Sequence, residues 1–148
     1  MAYMLVWRVP KAFFREKHCN MSFSGLKTAV SRQIAKENLI SDRVKANICA
    51  SFQEAVTQSL CDRVARAIEL DDNFETIVVS GGVAANQYIG NALRTLAEDR
   101  HKKFIAPPIN LCTDNAAMIA WAGLERLKNG AISDLSFAPK SRMDLAKK

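Results

Sequence analysis

The hydrophobic positions of this chain recur at helical spacing in its first half and gather into short β-branched runs in its second half. Over residues 41–70 apolar side chains return every three or four positions, which predicts a core-facing helix of about 29 residues, roughly 43 Å long. This stripe consists of Val44, Ile48, Phe52, Ala55, Val56, Leu60, Val64, Ala67 and Ile68. Gln53, Glu54 and Gln58 lie on or near the stripe, and we expect them to flank the buried face without a functional role.

Shorter elements surround this helix. The pattern predicts an amphipathic helix over residues 21–36 with Ser22 or Ser24 as its N-cap. It further predicts a strand at 76–80, a helix at 83–99, a strand at 103–106 and a helix at 114–128. The inward side chains of the helix at 83–99 are expected to be Tyr88, Leu93, Leu96 and Ala97. Strands that alternate with helices indicate an α/β fold with parallel pairing.

A glycine pair interrupts the second half at the point where the first strand meets its helix. The β-branched run of residues 77–79 stops at Gly81 and Gly82, and alanines then lead to Asn86. A strand, a glycine turn and a helix form the local architecture of an anion site, because backbone N–H groups and the positive helix end face the turn. The segment is neither a Walker A loop nor a GxGxxG motif, so a turn without a ligand explains it equally well.

A carboxylate marks a second helix entry. Thr113 or Asp114 is expected to cap the helix at 114–128, and Asp114 follows Asn86 by 28 residues. A lone Asp at such a position is usually only a cap, contributing about 1 kcal/mol. Two helix entries that follow strands of one sheet can, however, face a single nucleotide.

The composition limits which class of protein this chain can belong to. The 148 residues are 49% hydrophobic and contain no apolar run of 18, so we expect a soluble chain of one domain without a membrane span. The four cysteines show no zinc-ligand spacing, and Cys49 and Cys61 would lie roughly 18 Å apart on one helix, too far for a disulfide. We expect all four to be buried thiols in a reducing compartment.

The net charge of +6 is concentrated near the start of the sequence. Residues 1–45 hold nine Lys or Arg against three acidic residues, and the remainder is balanced. Such a segment suits a polyanionic partner such as tRNA, although a solvated basic face is the commoner explanation of charge alone.

Three motifs together resemble one family. The phrases FSGLKTAV at residues 23–30, VVSGGVAANQYI at 78–89 and CTDNAAMIAWAG at 112–123 are similar to the C-terminal half of the TsaD family. These are tRNA threonylcarbamoyladenosine transferases, formerly described as O-sialoglycoprotein endopeptidases. The wording resembles the bacterial and mitochondrial branch, and the likeness runs from about residue 9 to near residue 144.

The resemblance implies a fold, a reaction and a set of site residues. It implies one incomplete lobe of the actin, Hsp70 and sugar-kinase fold, which is ribonuclease-H-like, over residues 1–148, with an extended segment at 1–20 and a polar tail at 131–148. It implies transfer of a threonylcarbamoyl group from threonylcarbamoyl-adenylate to N6 of the adenosine next to the anticodon, in tRNAs that read ANN codons. By the same resemblance, Gly81, Gly82 and Asn86 contact the adenylate, and Asp114 binds a divalent metal, iron.

The sequence also departs from that family. Members carry an N-terminal lobe with an HxxxH metal motif, whereas His18 and His101 stand 83 residues apart, and one Asp is too few ligands for a metal. We therefore expect the isolated chain not to catalyse transfer, unless the missing lobe arrives in trans. The resemblance suggests tRNA and TsaB- and TsaE-like proteins as partners, in the cytoplasm or in mitochondria. The alternative is a non-catalytic module that binds a nucleotide or a partner protein.

Overall fold

The computed structural model describes residues 16–37 and 40–139. Their order is α1 (Ser24–Ile34), α2 (Asp42–Leu70), β1 (Thr76–Val78), a 3₁₀ turn (Gly82–Ala85), α3 (Gln87–Asp99), β2 (Lys103–Ile105), a 3₁₀ turn (Ile109–Leu111) and α4 (Ala116–Lys128). The predicted α/β class is confirmed. The chain divides into two compact units, the first ending at Thr113 and the second beginning at Asp114. The segment at 1–20 and the tail at 131–148 lie partly outside the described residues.

The long helix α2 begins where the sequence indicates. Ser41 is its N-cap, and the Ser41 hydroxyl accepts a hydrogen bond from the Val44 N–H at 3.3 Å. Ile48, Ala55 and Ile68 are buried, as the predicted stripe requires, but Phe52 of that stripe remains 37% exposed. The helix therefore buries only part of the apolar face that the sequence predicts.

Small polar side chains complete the buried surface of α2. Thr57 and Ser59 are buried, and each hydroxyl donates to the carbonyl four residues earlier at 2.8 Å. This back-bonding satisfies the hydroxyls inside the helix, so their burial needs no partner from another element. Hydrophobic spacing does not predict these positions, because it scores a hydroxyl as a surface group.

A buried arginine anchors the segment before α1. The Arg63 side chain is 3% exposed and pairs with the Asp62 carboxylate. Its guanidinium also donates to the carbonyl of Glu16 at 3.3 Å and to that of His18. A buried guanidinium is tolerated only when its donors are satisfied, and here backbone carbonyls of a distant segment satisfy them.

The two strands, β1 and β2, pair in parallel, and α3 connects them. Thr76, Ile77 and Val78 lie opposite Lys103, Phe104 and Ile105 in the register. The crossover helix packs against α2 and buries Ile89, Leu93 and Ala97, which follow one another at steps of four. Tyr88 precedes this row by one residue, about 100° around the helix, and is half exposed, so its predicted inward position is wrong.

Lys102 ties the start of β2 to the loop after α2. Its ammonium donates to the Phe74 carbonyl at 2.7 Å and to the Asp72 carbonyl at 3.1 Å, and it pairs with the Asp72 carboxylate at 2.6 Å. The Lys102 side chain is only 10% exposed. A nearly buried charge with three oxygen partners fixes the entry into β1 more firmly than a solvated ion pair would.

The predicted helix at 83–99 is two elements. The 3₁₀ turn Gly82–Ala85 ends at Asn86, whose side chain caps α3 from Gln87 onward. Continuous helical spacing hides this break, because alanines fit either geometry.

Two predicted N-caps are also wrong. Asn115, not Thr113 or Asp114, caps α4, and its side chain accepts from the Met118 N–H at 2.8 Å. At the start of α1 the cap position is Phe23, without a side-chain cap bond, and the hydroxyls of Ser22 and Ser24 lie 3.1 Å apart in a mutual hydrogen bond. Each of these segments offers several capping residues in succession, so composition does not decide which one is used.

The cysteines differ in burial from the prediction. Cys112 is buried, Cys61 is partly buried, and Cys19 and Cys49 are exposed. Burial, followed by the charge of Glu54, raises the pKa of the Cys61 thiol above its ordinary value. Cys49 follows the buried Ile48 directly, and a step of about 100° turns it away from the packed side of α2.

Among the described residues no helix is both long and apolar enough to cross a membrane.

We predict that Gly81→Ala destabilises the chain and that Gly82→Ala does not. Gly81 has φ 87° and ψ 175°, a conformation open essentially to glycine alone, so an alanine there should cost about 1–3 kcal/mol. Gly82 lies outside the positive-φ region and an added Cβ meets nothing within 4 Å, so we expect a change of about 0.5 kcal/mol or less. Urea unfolding of the 148-residue chain measures both, and equal losses for the two variants would contradict the assignment.

Candidate nucleotide site

The predicted anion turn follows β1 directly. The Val79 N–H still donates to the Ile105 carbonyl at 3.0 Å, so the chain leaves the sheet one residue after β1 ends. Gly81 then reverses the backbone, and its carbonyl accepts from the Ala84 N–H at 2.9 Å. Because this turn needs the positive φ of Gly81, the first glycine of the pair has a structural reason to be there.

The second glycine has no such reason within the described part of the chain. A Cβ built on Gly82 would meet nothing within 4 Å, and its φ is not positive. Within residues 16–37 and 40–139, the backbone N–H groups of Gly82 and Val83 donate to no acceptor. Open space beside two available N–H donors is what a bound anion requires.

Asn86 stands at the junction of the turn, α3 and α2. Its Oδ1 accepts from the N–H of Tyr88 at 3.0 Å and from that of Ile89 at 3.3 Å, and so caps α3. Its Nδ2 donates to the Gln53 Oε1 of α2 at 3.0 Å. Gly81, Gly82 and Asn86 thus lie along the 3₁₀ turn and its two ends, and Asn86 gains a partner on α2 that lies 33 residues earlier.

Glu54, the residue after Gln53, makes a second hydrogen bond between α2 and α3. The Tyr88 hydroxyl donates to Glu54 Oε2 at 2.6 Å, and the Gln58 amide donates to Glu54 Oε1. This hydrogen bond, followed by burial and by the charge of Glu54, raises the pKa of the Tyr88 phenol. The sequence around Gln53 and Glu54 does not reveal these hydrogen bonds, because the partners of both residues are distant along the chain. Their position beside the apolar stripe was the only local signal.

A groove of about 500 Å³ lies between α2 and α3, and the Glu54–Tyr88 hydrogen bond is part of its wall. Polar side chains from both helices line it, together with the partly buried Cys61; the set is Glu54, Thr57, Gln58, Cys61, Tyr88, Asn91, Ala92 and Thr95. The lining includes none of Gly81, Gly82 and Asn86. The groove is therefore separate from the glycine turn.

Asp114 begins the second unit, two residues before α4, and its side chain is exposed. Residues 16–37 and 40–139 contain no group of three or more His, Cys, Asp and Glu side chains that could hold a metal ion. The described residues by themselves do not fit a resident metal, since a divalent ion needs about four to six ligands. The convergence of Asp114 and the glycine turn on one ligand stays a prediction.

Similar proteins support a single family. The family described as TsaD, tRNA N6-adenosine threonylcarbamoyltransferase, matches residues 5–121. A tRNA N6-adenosine threonylcarbamoyltransferase of Brucella anthropi is 50% identical over 147 residues, covering 95% of this chain and 41% of the relative. A protein of the same name from Rickettsia rickettsii is 46% identical over 145 residues, covering 94% and 42%. One from Rhizobium leguminosarum bv. trifolii is 47% identical, covering 92% and 40%.

The matches cover the same part of the relatives. The chain spans about two fifths of the length of the curated relatives that it matches, and the matched part is their C-terminal part. The family match itself covers well over half of the 148 residues. The chain therefore belongs to the TsaD family.

Proposed function

We propose that this chain supplies the adenylate-binding part of a tRNA-modifying acyltransferase. The proposed reaction moves the threonylcarbamoyl group of threonylcarbamoyl-adenylate to N6 of the adenosine next to the anticodon, in tRNAs that read ANN codons. The observation that carries the proposal is the open turn at Gly82: within residues 16–37 and 40–139 the N–H groups of Gly82 and Val83 donate to no acceptor, and a Cβ added to Gly82 would meet nothing within 4 Å. Membership of the TsaD family supplies the identity of the anion.

In this reaction the N6 amine attacks the carbamoyl carbon and forms the new C–N bond. The bond from that carbon to the phosphate oxygen breaks, AMP leaves with the electron pair, and the proton released from N6 passes to the solvent. The N–H groups of Gly82 and Val83 would donate to phosphate oxygens, and so stabilise the charge that develops on the leaving group. Asn86, fixed at the start of α3, would orient the nucleotide beside them.

The proposed fold agrees with a nucleotide site at this turn. A parallel β1–α3–β2 unit with a ligand turn after the first strand suits one lobe of the actin, Hsp70 and sugar-kinase fold, which binds nucleotides beyond the carboxyl ends of its strands. The basic residues among 1–45 would neutralise tRNA phosphates. TsaB- and TsaE-like proteins are proposed partners, and a further lobe would complete the site, in the cytoplasm or in mitochondria.

A second candidate is a nucleotide- or partner-binding module without turnover. It is favoured by the described residues around the turn, which provide hydrogen-bond donors and a helix cap, while the neighbouring Glu54 carboxylate is already bonded to Tyr88 and Gln58. Both candidates place the nucleotide at the same turn, so they differ in product formation rather than in binding.

A chimera tests the transferase proposal. The full 148-residue chain, joined to the preceding part of the Brucella anthropi relative, should form threonylcarbamoyladenosine from synthetic adenylate and tRNA, whereas the chain alone should not exceed the no-enzyme control. Product is measured by mass spectrometry of digested tRNA. A soluble but inactive chimera that still binds AMP would favour the module, and product from the chain alone would refute the expected inactivity.

Gly82→Ala should weaken adenylate binding in the chimera without unfolding it. The added methyl group occupies the space through which the phosphate approaches the backbone, so KM for the adenylate should rise about tenfold or more, the equivalent of roughly 1.4 kcal/mol. Gly25→Ala, on α1 and equally free of steric contacts, is the matched control and should leave KM unchanged. A normal KM for Gly82→Ala would remove the phosphate from this turn.

Asp114 is proposed as one ligand of a divalent metal, which the resemblance identifies as iron. Asp114→Ala should lower the iron content of the chimera by at least about half, because a carboxylate is lost from a site of about four to six ligands. The substitution spares the cap of α4, which Asn115 provides. Elemental analysis by mass spectrometry measures the metal, and Asp99→Ala, an exposed carboxylate at the end of α3, is the control. Equal metal in both variants would exclude Asp114 as a ligand.

A further inference from the structure

The carboxamide of Asn86 is nearly saturated by the protein itself. Its Oδ1 accepts two backbone N–H groups, those of Tyr88 and Ile89, and an amide oxygen has two lone pairs. This pair of donors fixes which end of the amide is oxygen, since a reversed amide would turn its NH₂ toward two N–H groups. Asn86 therefore has no acceptor capacity left to offer a ligand.

The other end of the same amide is half used. Nδ2 carries two N–H donors, and one of them is bonded to Gln53 Oε1 at 3.0 Å. A single N–H remains, and its direction is set once the first is held, because the amide is planar. Asn86 can thus meet a ligand only as a donor, toward an oxygen or nitrogen atom that accepts a hydrogen bond.

Gln53 is well placed to hold that direction. It lies on α2, a helix of 29 residues, and both Gln53 and Asn86 are partly buried, so water competes less for their bond than it would at the surface. The neighbouring pair of Glu54 and Tyr88 joins the same two helices at 2.6 Å. Gln53 and Glu54, two consecutive residues of α2, therefore both hydrogen-bond to the first residues of α3 and its cap.

From this geometry we propose that Gln53 is a positioning residue: it holds the Asn86 carboxamide so that one N–H of Nδ2 is presented to an acceptor atom of the bound adenylate. The inference rests on the proposed function for the identity of the ligand. The Gln53 Oε1 on α2 accepts one N–H of Asn86 Nδ2 and thereby fixes the direction in which the other N–H can donate to a ligand. Gln53 itself does not touch the adenylate.

A double-mutant cycle in the chimera tests this role. Gln53→Met is nearly isosteric, is an equally good helix former and removes the acceptor, so KM for threonylcarbamoyl-adenylate should rise about tenfold while kcat changes little. Gln53→Glu retains an acceptor oxygen and should raise KM less than Gln53→Met. Asn86→Asp keeps the cap oxygen but loses the donor, and should raise KM at least as much.

The combination of the variants separates positioning from simple stability. Because Gln53 acts only through the Asn86 donor, adding Gln53→Met to Asn86→Asp should raise KM no further. Gln33→Met, on α1, is the matched control for the substitution and should leave KM unchanged. An additive effect of the double variant, or a normal KM for Gln53→Met, would overturn the proposal.

Two outcomes keep this inference apart from the proposed function. An unsubstituted chimera that folds but forms no threonylcarbamoyladenosine contradicts the transferase function. An active chimera that is insensitive to Gln53→Met contradicts only the positioning role.

A measurement without activity gives a second test on the full 148-residue chain. The Asn86 side-chain amide protons should exchange with solvent more slowly in the unsubstituted chain than in Gln53→Met, as seen in ¹⁵N-resolved NMR spectra. Faster exchange in the variant supports the hydrogen bond, and equal exchange overturns it. The backbone amides of Ile48 and Leu93 serve as internal references, since both residues are buried.

Discussion

The contact on which this structure depends is the hydrogen-bonded junction at Asn86. One carboxamide ends the glycine turn, starts α3 and reaches across to Gln53 on α2. It satisfies N–H groups that a helix start leaves without partners, and it does so where the chain changes from a 3₁₀ turn to an α-helix. The direction of α3 and the shape of the turn are therefore set by the same side chain.

Packing around this junction divides the work between apolar and polar groups. Ile89, Leu93 and Ala97 form the buried row of α3, a helix that packs against α2, and removing their apolar surface from water is favourable. Lys102 and Arg63 do something else, because their donors are satisfied by backbone carbonyls of segments far away in sequence. They fix where loops run, which non-directional apolar contact cannot do.

The glycine pair illustrates how one motif serves two purposes. Gly81 is explained by its own backbone conformation, whereas Gly82 is explained by nothing in the described structure except the open space in front of it. The first glycine shapes the turn, and the second leaves it accessible. In the proposed transferase this division would let a phosphate reach the backbone without any rearrangement of the turn.

The sequence by itself determined the elements and the family: the span of α2, the two short strands, the α/β class and the three motifs of the TsaD family. These follow from periodicity and from short contiguous patterns, which are local properties of a chain. Tertiary structure alone decided which of several neighbouring residues caps a helix, that Tyr88 faces outward, and that Gln53 and Arg63 find partners more than 30 residues away. A polar side chain carries no mark of a distant partner, since the hydrogen bond exists only after two elements have packed.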